Sequence, residues 1–327
     1  MKILSTRFNA RALASAALAL CAFAATAQPF PSKPVTLVVP FAPGASADGI
    51  ARIVGRELSA SLGQPVVVDN KPGGGGATGL IGVAKSTPDG YTIGMGATGA
   101  IVVNPNLPDA APLKPQEQLA PVAKVADIPL VLVAGAKTGL RDLRGFIEKA
   151  RATPEGTSYG TTGQYTAQHL AGELLASMAK LKLVAVPYRG SGPAVTDLLG
   201  GQLPVAVVDL TSAYPHIKSG ALVALGVTSA TRSAVAPEIP TLAEGGVPGY
   251  SATAWMGLFA PAKAPPEAIE KLAGAIQAVV AKPEVQSQIV GLAAEPRYLG
   301  PAGFKSFIHA ESDKWAGVIA SIPAPQK

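Results

Sequence analysis

The segment Val35 to Leu62, VTLVVPFAPGASADGIARIVGRELSASL, concentrates the usable chemistry of this chain between a strand and a helix. A buried-strand run, Val35-Thr36-Leu37-Val38-Val39, stops at Pro40. Phe41, Ala42, Pro43, Gly44, Ala45, Ser46 and Ala47 then form a loop that carries no charge before Asp48. Either Ser46 or Asp48 caps the following helix, whose apolar positions are Ile50, Ile53, Val54 and Leu58. The loop offers backbone N–H groups, one hydroxyl and a helix N-terminus. These suit a small anion held without a counter-charge, because unpaired N–H groups and the helix dipole both favour negative charge. A second unit of the same kind spans Tyr159 to Leu175. It has a short strand, Thr157 to Gly160, and a polar loop of Thr161, Thr162, Gly163, Gln164, Tyr165 and Thr166. A helix from Ala167 to Met178 follows, with Leu170, Leu174 and Leu175 apolar.

Catalytic equipment is sparse. Gly44-Ala45-Ser46-Ala47-Asp48 resembles a nucleophile elbow but lacks the closing glycine. A serine hydrolase also needs a histidine base, and the chain has three histidines, His169, His216 and His309. None has an evident orienting acid. His216 and His309 read as structural or surface residues. His169 is either structural or part of the second wall, because it adjoins that loop. An exported hydrolase using Ser46 and His169 is therefore the competing reading to a binding protein. The histidine spacing and the single cysteine, Cys21, give no metal site.

Gly74-x-Gly76-x-x-Gly79 matches the dinucleotide fingerprint formally, but Lys71-Pro72 interrupts the turn and no acidic residue follows at ~20 positions. A phosphate loop would need Lys and Ser/Thr where Leu80 and Ile81 stand. No cofactor is expected, and the glycines read as a tight loop that can line a cleft. Asp209 ends an apolar strand. It either caps the helix from Leu210 or accepts a hydrogen bond from a ligand, an ammonium group included. Arg189 pairs with a ligand carboxylate or with a hinge or surface acid. Trp255 and Trp315 read as packing aromatics.

These residues need a scaffold, and composition sets its class. The chain has 327 residues. Lys2, Arg7 and Arg11, the apolar run Ala12 to Ala24 and the small residues Ala25-Thr26-Ala27 read as a secretory signal peptide, residues 1–27, cleaved before Gln28. Cys21 lies inside it, and Leu20 before that cysteine argues against a lipid anchor. Those three charges come off a total of 27, leaving 24 basic against 21 acidic residues. The balance, with no Lys/Arg cluster or aromatic platform, gives no case for nucleic acid. No later apolar run approaches the ~18 residues of a membrane span.

Strands are expected at Gln64 to Asp69, Tyr91 to Gly96, Leu119 to Val125, Leu130 to Ala134, Leu183 to Val186, Val205 to Asp209, Leu222 to Val227 and Trp255 to Pro261. Helices are expected at Leu80 to Lys85, Leu140 to Ala150, Pro193 to Leu199, Leu210 to Lys218, Pro265 to Val280, Pro283 to Leu292 and Pro301 to Val318. Ile101-Val102-Val103 reads as a core strand or as an apolar patch beside a ligand. The alternation implies an α/β protein of mostly parallel sheets with helices on both faces and ligand crevices at the strands' carboxyl ends. The length implies two domains, 28–124 plus 229–327 and 125–228, with two crossings between them.

The motifs PSKPVTLVVPFAPGASADGIAR, GQPVVVDNKPGGGGATG, STPDGYT, YGTTGQYTAQHLAGELL, VPYRGSGPAVTDLLGGQ, YPHIKSGALVALGVTSATRS and PEIPTLAEGGVPGY closely resemble the tripartite tricarboxylate transporter substrate-binding proteins, the Bug family. The resemblance runs from about Pro31 to about Trp315. It departs at Ala45, where the family usually has a second glycine, and at the apolar segment Gly99 to Pro105. It implies a two-lobed, type II-like periplasmic-binding-protein fold that closes over a small carboxylate. Di- and tricarboxylates, acidic amino acids and aromatic acids are the implied ligands. Carried over, the first wall is Phe41 to Ser46 with Asp48. The opposite wall is Thr161 to Tyr165 with His169 behind it. Thr98, Arg189, Gly190 and Asp209 complete the rim. A monomer that serves the large and small membrane subunits of a transporter is implied, with ligand sensing as the alternative use.

Overall fold

The computed structural model describes residues 30–107 and 111–321; the expected signal peptide, residues 1–27, lies outside the described residues. The chain opens with β1 (Val35–Val39), α1 (Ser46–Leu62), β2 (Val66–Asn70), α2 (Ala77–Ala84), β3 (Thr92–Ala97) and β4 (Leu119–Ile128). A second group follows: β5 (Leu130–Gly135), α3 (Leu143–Arg151), β6 (Thr157–Thr161), α4 (Ala167–Ala179), β7 (Leu183–Pro187), α5 (Ser191–Gly200), β8 (Val205–Asp209), α6 (Leu210–Lys218) and β9 (Leu222–Val227). The chain then returns with β10 (Ala254–Pro261), α7 (Pro266–Val280), α8 (Pro283–Gly291), β11 (Glu295–Leu299) and α9 (Pro301–Ser321).

These strands build two sheets, one per lobe. The first has the order β11-β4-β10-β3-β1-β2 and the second β7-β6-β8-β5-β9. Both are mixed, which corrects the expectation of mostly parallel sheets. β1 lies parallel to β2 and β3, and β6 parallel to β7 and β8, as strand–helix–strand units require. β4, β5, β10 and β11 pair antiparallel with their neighbours. β5 and β10 enter their sheets straight from the other lobe, so no crossover helix dictates their direction.

β4 runs on to Ile128, beyond the strand expected to end at Val125, and only Pro129 separates it from β5. Leu210 N–H donates to Pro129 O at 2.9 Å. The return crossing is tied to the first: Thr228 N–H donates to Leu130 O at 2.9 Å, and Thr228 Oγ1 donates to Ala252 O at 2.6 Å. Both connections between the lobes thus form one hydrogen-bonded hinge.

Apolar periodicity explains the packing. β1 sits between two parallel neighbours and buries Val35, Leu37 and Val39 completely. Ile50, Ala51, Val54 and Leu58 form the buried face of α1, which ends at Gly63 in the left-handed region. In the second lobe, Tyr159 of β6 is fully buried beneath Gly172 of α4. A Cβ at Gly172 would lie 2.1 Å from the Tyr159 ring, so only glycine admits that ring. Two elements differ from expectation. Ile101 to Val103 belong to a buried π-helical turn, Gly99–Val103, rather than a strand or a ligand-facing patch. β11 was not expected, because Pro296 and Arg297 mark it as an edge segment that only its pairing with β4 makes a strand.

Candidate functional site

A cavity of about 300 Å³ lies between the lobes, at the size of a small-molecule site. Of the candidates named from the sequence, Phe41, Ala42, Pro43, Gly44, Ala45, Ser46, Thr98, Thr162, Arg189, Gly190 and Asp209 line it. Asp48, Thr161, Gly163, Gln164, Tyr165 and His169 are not among the lining residues. Their part is to shape the two walls.

The first wall is the turn from β1 into α1. Gly44 has φ +83°, a left-handed conformation that its missing Cβ permits. Ala45 is the N-cap, without a side-chain cap bond, so neither Ser46 nor Asp48 fills that role. Asp48 lies in the first helical turn and reaches back instead. Its Oδ2 accepts from Gly44 N–H at 3.0 Å and from Arg52 Nε at 2.9 Å; its Oδ1 accepts from Asn70 Nδ2 at 2.9 Å. Asn70 also donates to Phe41 O at 3.1 Å, which pins the loop to β2. Burial pushes the Asp48 carboxyl up. The hydrogen bonds from Arg52, Gly44 and Asn70 outweigh it and hold the group below the usual carboxylate range.

The second wall is the loop from β6 into α4. Thr166 caps α4 by accepting from His169 N–H at 3.3 Å, and its hydroxyl donates to Gly163 O at 2.8 Å. Thr161 is fully buried, with its hydroxyl 3.3 Å from both N and O of Gly163. Tyr165 takes a φ of +61°, and its N–H donates to His169 Nδ1 at 3.1 Å. That bond requires an unprotonated Nδ1. Burial lowers the His169 pKa, and the nearby Glu173 opposes it only in part.

The unfolded chain therefore takes up the His169 proton before the folded one as pH falls, and the stability contributed by neutral His169 is lost on acidification. Melting temperature is expected to fall between about pH 7.5 and about pH 5.5, less steeply in a His169→Gln chain. Parallel pH profiles for the two chains would show that His169 does not hold this wall.

Sequence reasoning missed Gln168, Ser191, Ala254, Trp255 and Met256, all of which line the cavity. Gln168 and Ser191 converge on Asp209, which occupies the N-cap of α6 but makes no cap bond with its side chain. Ser46 Oγ donates to Asp209 Oδ2 at 2.6 Å, from one lobe to the other. Gln168 Nε2 donates to Oδ1, and Asp209 N–H donates to Ser191 Oγ at 3.1 Å. Burial drives the Asp209 pKa up against the lowering effect of the hydrogen bonds with Ser46, Gln168 and Ser191. Thr98, fully buried, accepts from Trp255 N–H at 2.9 Å and couples β3 to β10 at the cavity floor.

Backbone approaches close the cleft elsewhere. A Cβ at Gly99 would lie 3.1 Å from Tyr165 O and 3.3 Å from Thr166 Cα; one at Gly75 would lie 3.5 Å from Gln164 O. Both contacts join the first lobe to the loop of the second.

Three helices present their N-termini to this space: α1 at Ser46 and Ala47, α4 at Ala167 and Gln168, and α5 at Ser191 and Gly192. First-turn N–H groups have no acceptor inside their own helix, and each helix dipole adds partial positive charge. Among the lining residues Arg189, exposed at the mouth, is the only basic one. The cavity can therefore bind an anion through N–H groups and hydroxyls, at less desolvation cost than a buried cation would bring. Ser46 gives its proton to Asp209 while His169 Nδ1 accepts from Tyr165, so the pair that a hydrolase would use is engaged separately.

The model of the tripartite tricarboxylate transporter family receptor matches residues 50–323. BugT of Bordetella pertussis is 37% identical over 303 residues, covering 92% of this chain and 93% of BugT. Two solved structures from Rhodopseudomonas palustris share the fold. MatC with bound malate has a TM-score of 0.82 at 29% identity, covering 89% of this chain and 100% of MatC. Rpa4515 with adipate has a TM-score of 0.84 at 31% identity, covering 89% and 98%.

Proposed function

Because the chain belongs to the tripartite tricarboxylate transporter family of receptors, we propose that it captures a small organic acid between its lobes and delivers it to the membrane subunits of a transporter. The observation that carries this reading is the meeting of three helix N-termini, drawn from both lobes, at one cavity with a single basic residue at its mouth. Neither lobe alone supplies all the donors. A bound carboxylate therefore stabilises the closed arrangement selectively, and closure is the signal a membrane partner can read. Malate and adipate in the similar structures support the ligand class. The walls of the site are Phe41 to Ser46 braced by Asp48, and Thr161 to Tyr165 braced by His169, with Thr98, Arg189, Gly190 and Asp209 completing them. The reading places a monomeric receptor in the periplasm after cleavage behind Ala27.

A thermal-shift screen of mono-, di- and tricarboxylates, with hydroxy and amino acids included, tests it. A ligand at about 100 times its Kd adds roughly 2.7 kcal/mol to the native state, or about 5–10 °C in Tm for a chain of this length. If no organic acid moves the melting curve at millimolar concentration, the cavity is not a carboxylate site.

A further inference from the structure

Taken as a carboxylate site, the cavity contains one group that works against its purpose. Asp209 is 7% exposed, lines the cavity, and forms no ion pair among the described residues. A buried carboxylate repels a second one, so in a receptor for plain diacids the charge of Asp209 would oppose the ligand even while its hydrogen bonds join the lobes. Its hydrogen bonds show what it offers. A carboxylate has about four acceptor positions, and the side chains of Ser46 and Gln168 each fill one.

Ser46 is changed by the same bond. A serine hydroxyl has one proton, and this one is given to Asp209. Towards the cavity Ser46 Oγ presents only lone pairs. Asp209 and Ser46 together therefore form an acceptor surface within a cavity otherwise furnished with helix N–H donors. A ligand matched to both needs an anionic group and a donor close to it. An ammonium group would do most, because it would also neutralise the buried charge, and burial's upward push on the Asp209 pKa marks the compensation that charge lacks.

Resting on the carboxylate reading above, we propose that the site selects acids bearing an ammonium or hydroxyl group beside a carboxylate over plain acids of the same length, and that Asp209, with Ser46 oriented by it, reads that donor.

Calorimetric titration of the full exported chain with matched acids tests this: succinate, malate and aspartate; glutarate, 2-hydroxyglutarate and glutamate; propionate, lactate and alanine. In the set that binds most tightly, the substituted acids should exceed the plain one by tenfold or more, with the amino acid strongest. Asp209→Asn keeps the shape but removes the charge. It should weaken the amino acid by thirtyfold or more and leave the plain acid unchanged or tighter. A wild-type chain that binds the plain acid as well as its substituted partners overturns the proposal, and this comparison needs no folded variant. An Asp209→Asn chain that loses affinity equally for all three acids overturns the role of Asp209. A screen hit confined to plain acids sinks this inference alone, whereas a screen without any hit sinks the carboxylate reading beneath it.

Discussion

A valine at Gly99 is expected to prevent capture while leaving both lobes folded. Gly99 opens the buried turn after β3 and faces the other lobe. A Cβ there would meet Tyr165 O at 3.1 Å and Thr166 Cα at 3.3 Å. Both are backbone atoms of a loop fixed by Thr161, Thr166 and His169, so no side chain can swing clear of the intrusion. Overpacking of this kind costs about 1–3 kcal/mol. The cost is expected to fall mainly on the closed state, because separating the lobes would relieve the contacts with Tyr165 and Thr166. A ligand that binds the closed state should lose that amount, roughly 5–150-fold in affinity. The unliganded melting temperature should stay near that of the parent chain. Alanine at Gly99 should fall between the two. Titration with the best acid from the screen gives the measurement, and full affinity in Gly99→Val would mean that capture does not require these backbones to meet.

The second large effect is on stability. Gly172→Ala would put a methyl group 2.1 Å from the Tyr159 ring, well inside contact distance. The ring is fully buried, and its hydroxyl lies 2.7 Å from Glu173 Oε1 and 3.1 Å from His169 O. Displacing it loses packing and a buried hydrogen bond together, about 3 kcal/mol, or roughly 10 °C in Tm. Because His169 also holds the Tyr165 turn, ligand affinity should fall with stability. Shortening the tyrosine as well, in Gly172→Ala with Tyr159→Leu, should recover part of the loss, since the added methyl then has room. A single Gly172→Ala variant that melts within about 2 °C of the parent would show that α4 can shift away from β6 without penalty.

Both predictions depend on how far the site was legible in the sequence. The loop Phe41 to Ser46 and the acid at the end of β8 were legible because their signals are local. A strand run, a small-residue turn and a helix pattern lie next to one another in each. The second wall was placed on the loop Thr161 to Tyr165, of which Thr162 lines the cavity. His169 was favoured, yet Gln168 lines the cavity and His169 turns back to Tyr165. Successive helix residues are rotated by about 100°, so a single step decides which first-turn residue faces the cleft. That phase is set by how Leu170, Ala171 and Leu175 dock into the lobe, and the loop sequence carries no record of it.

Trp255 shows a second limit. Its backbone completes the cavity floor through a bond to Thr98, 157 positions earlier. The contact exists because β10 returns from the other lobe and runs antiparallel beside β3. That return made the first sheet mixed, and the entry of β5 did the same for the second, against an expectation built on strand–helix–strand repeats. Local periodicity shows which segments become strands; the order in which distant strands meet is decided by the whole chain.

The contacts that bring Gly75 and Gly99 against Gln164, Tyr165 and Thr166 are made by main-chain atoms. Part of the closing is therefore assigned to atoms that no side-chain exchange removes, while the Ser46–Asp209 bond serves closing and choosing together. A lineage could exchange Arg189 or another lining side chain outside that pair to accept a new nutrient while the main-chain contacts of the jaws still met in the same way. Descendants of one such scaffold could diversify in diet without having to reinvent their grip.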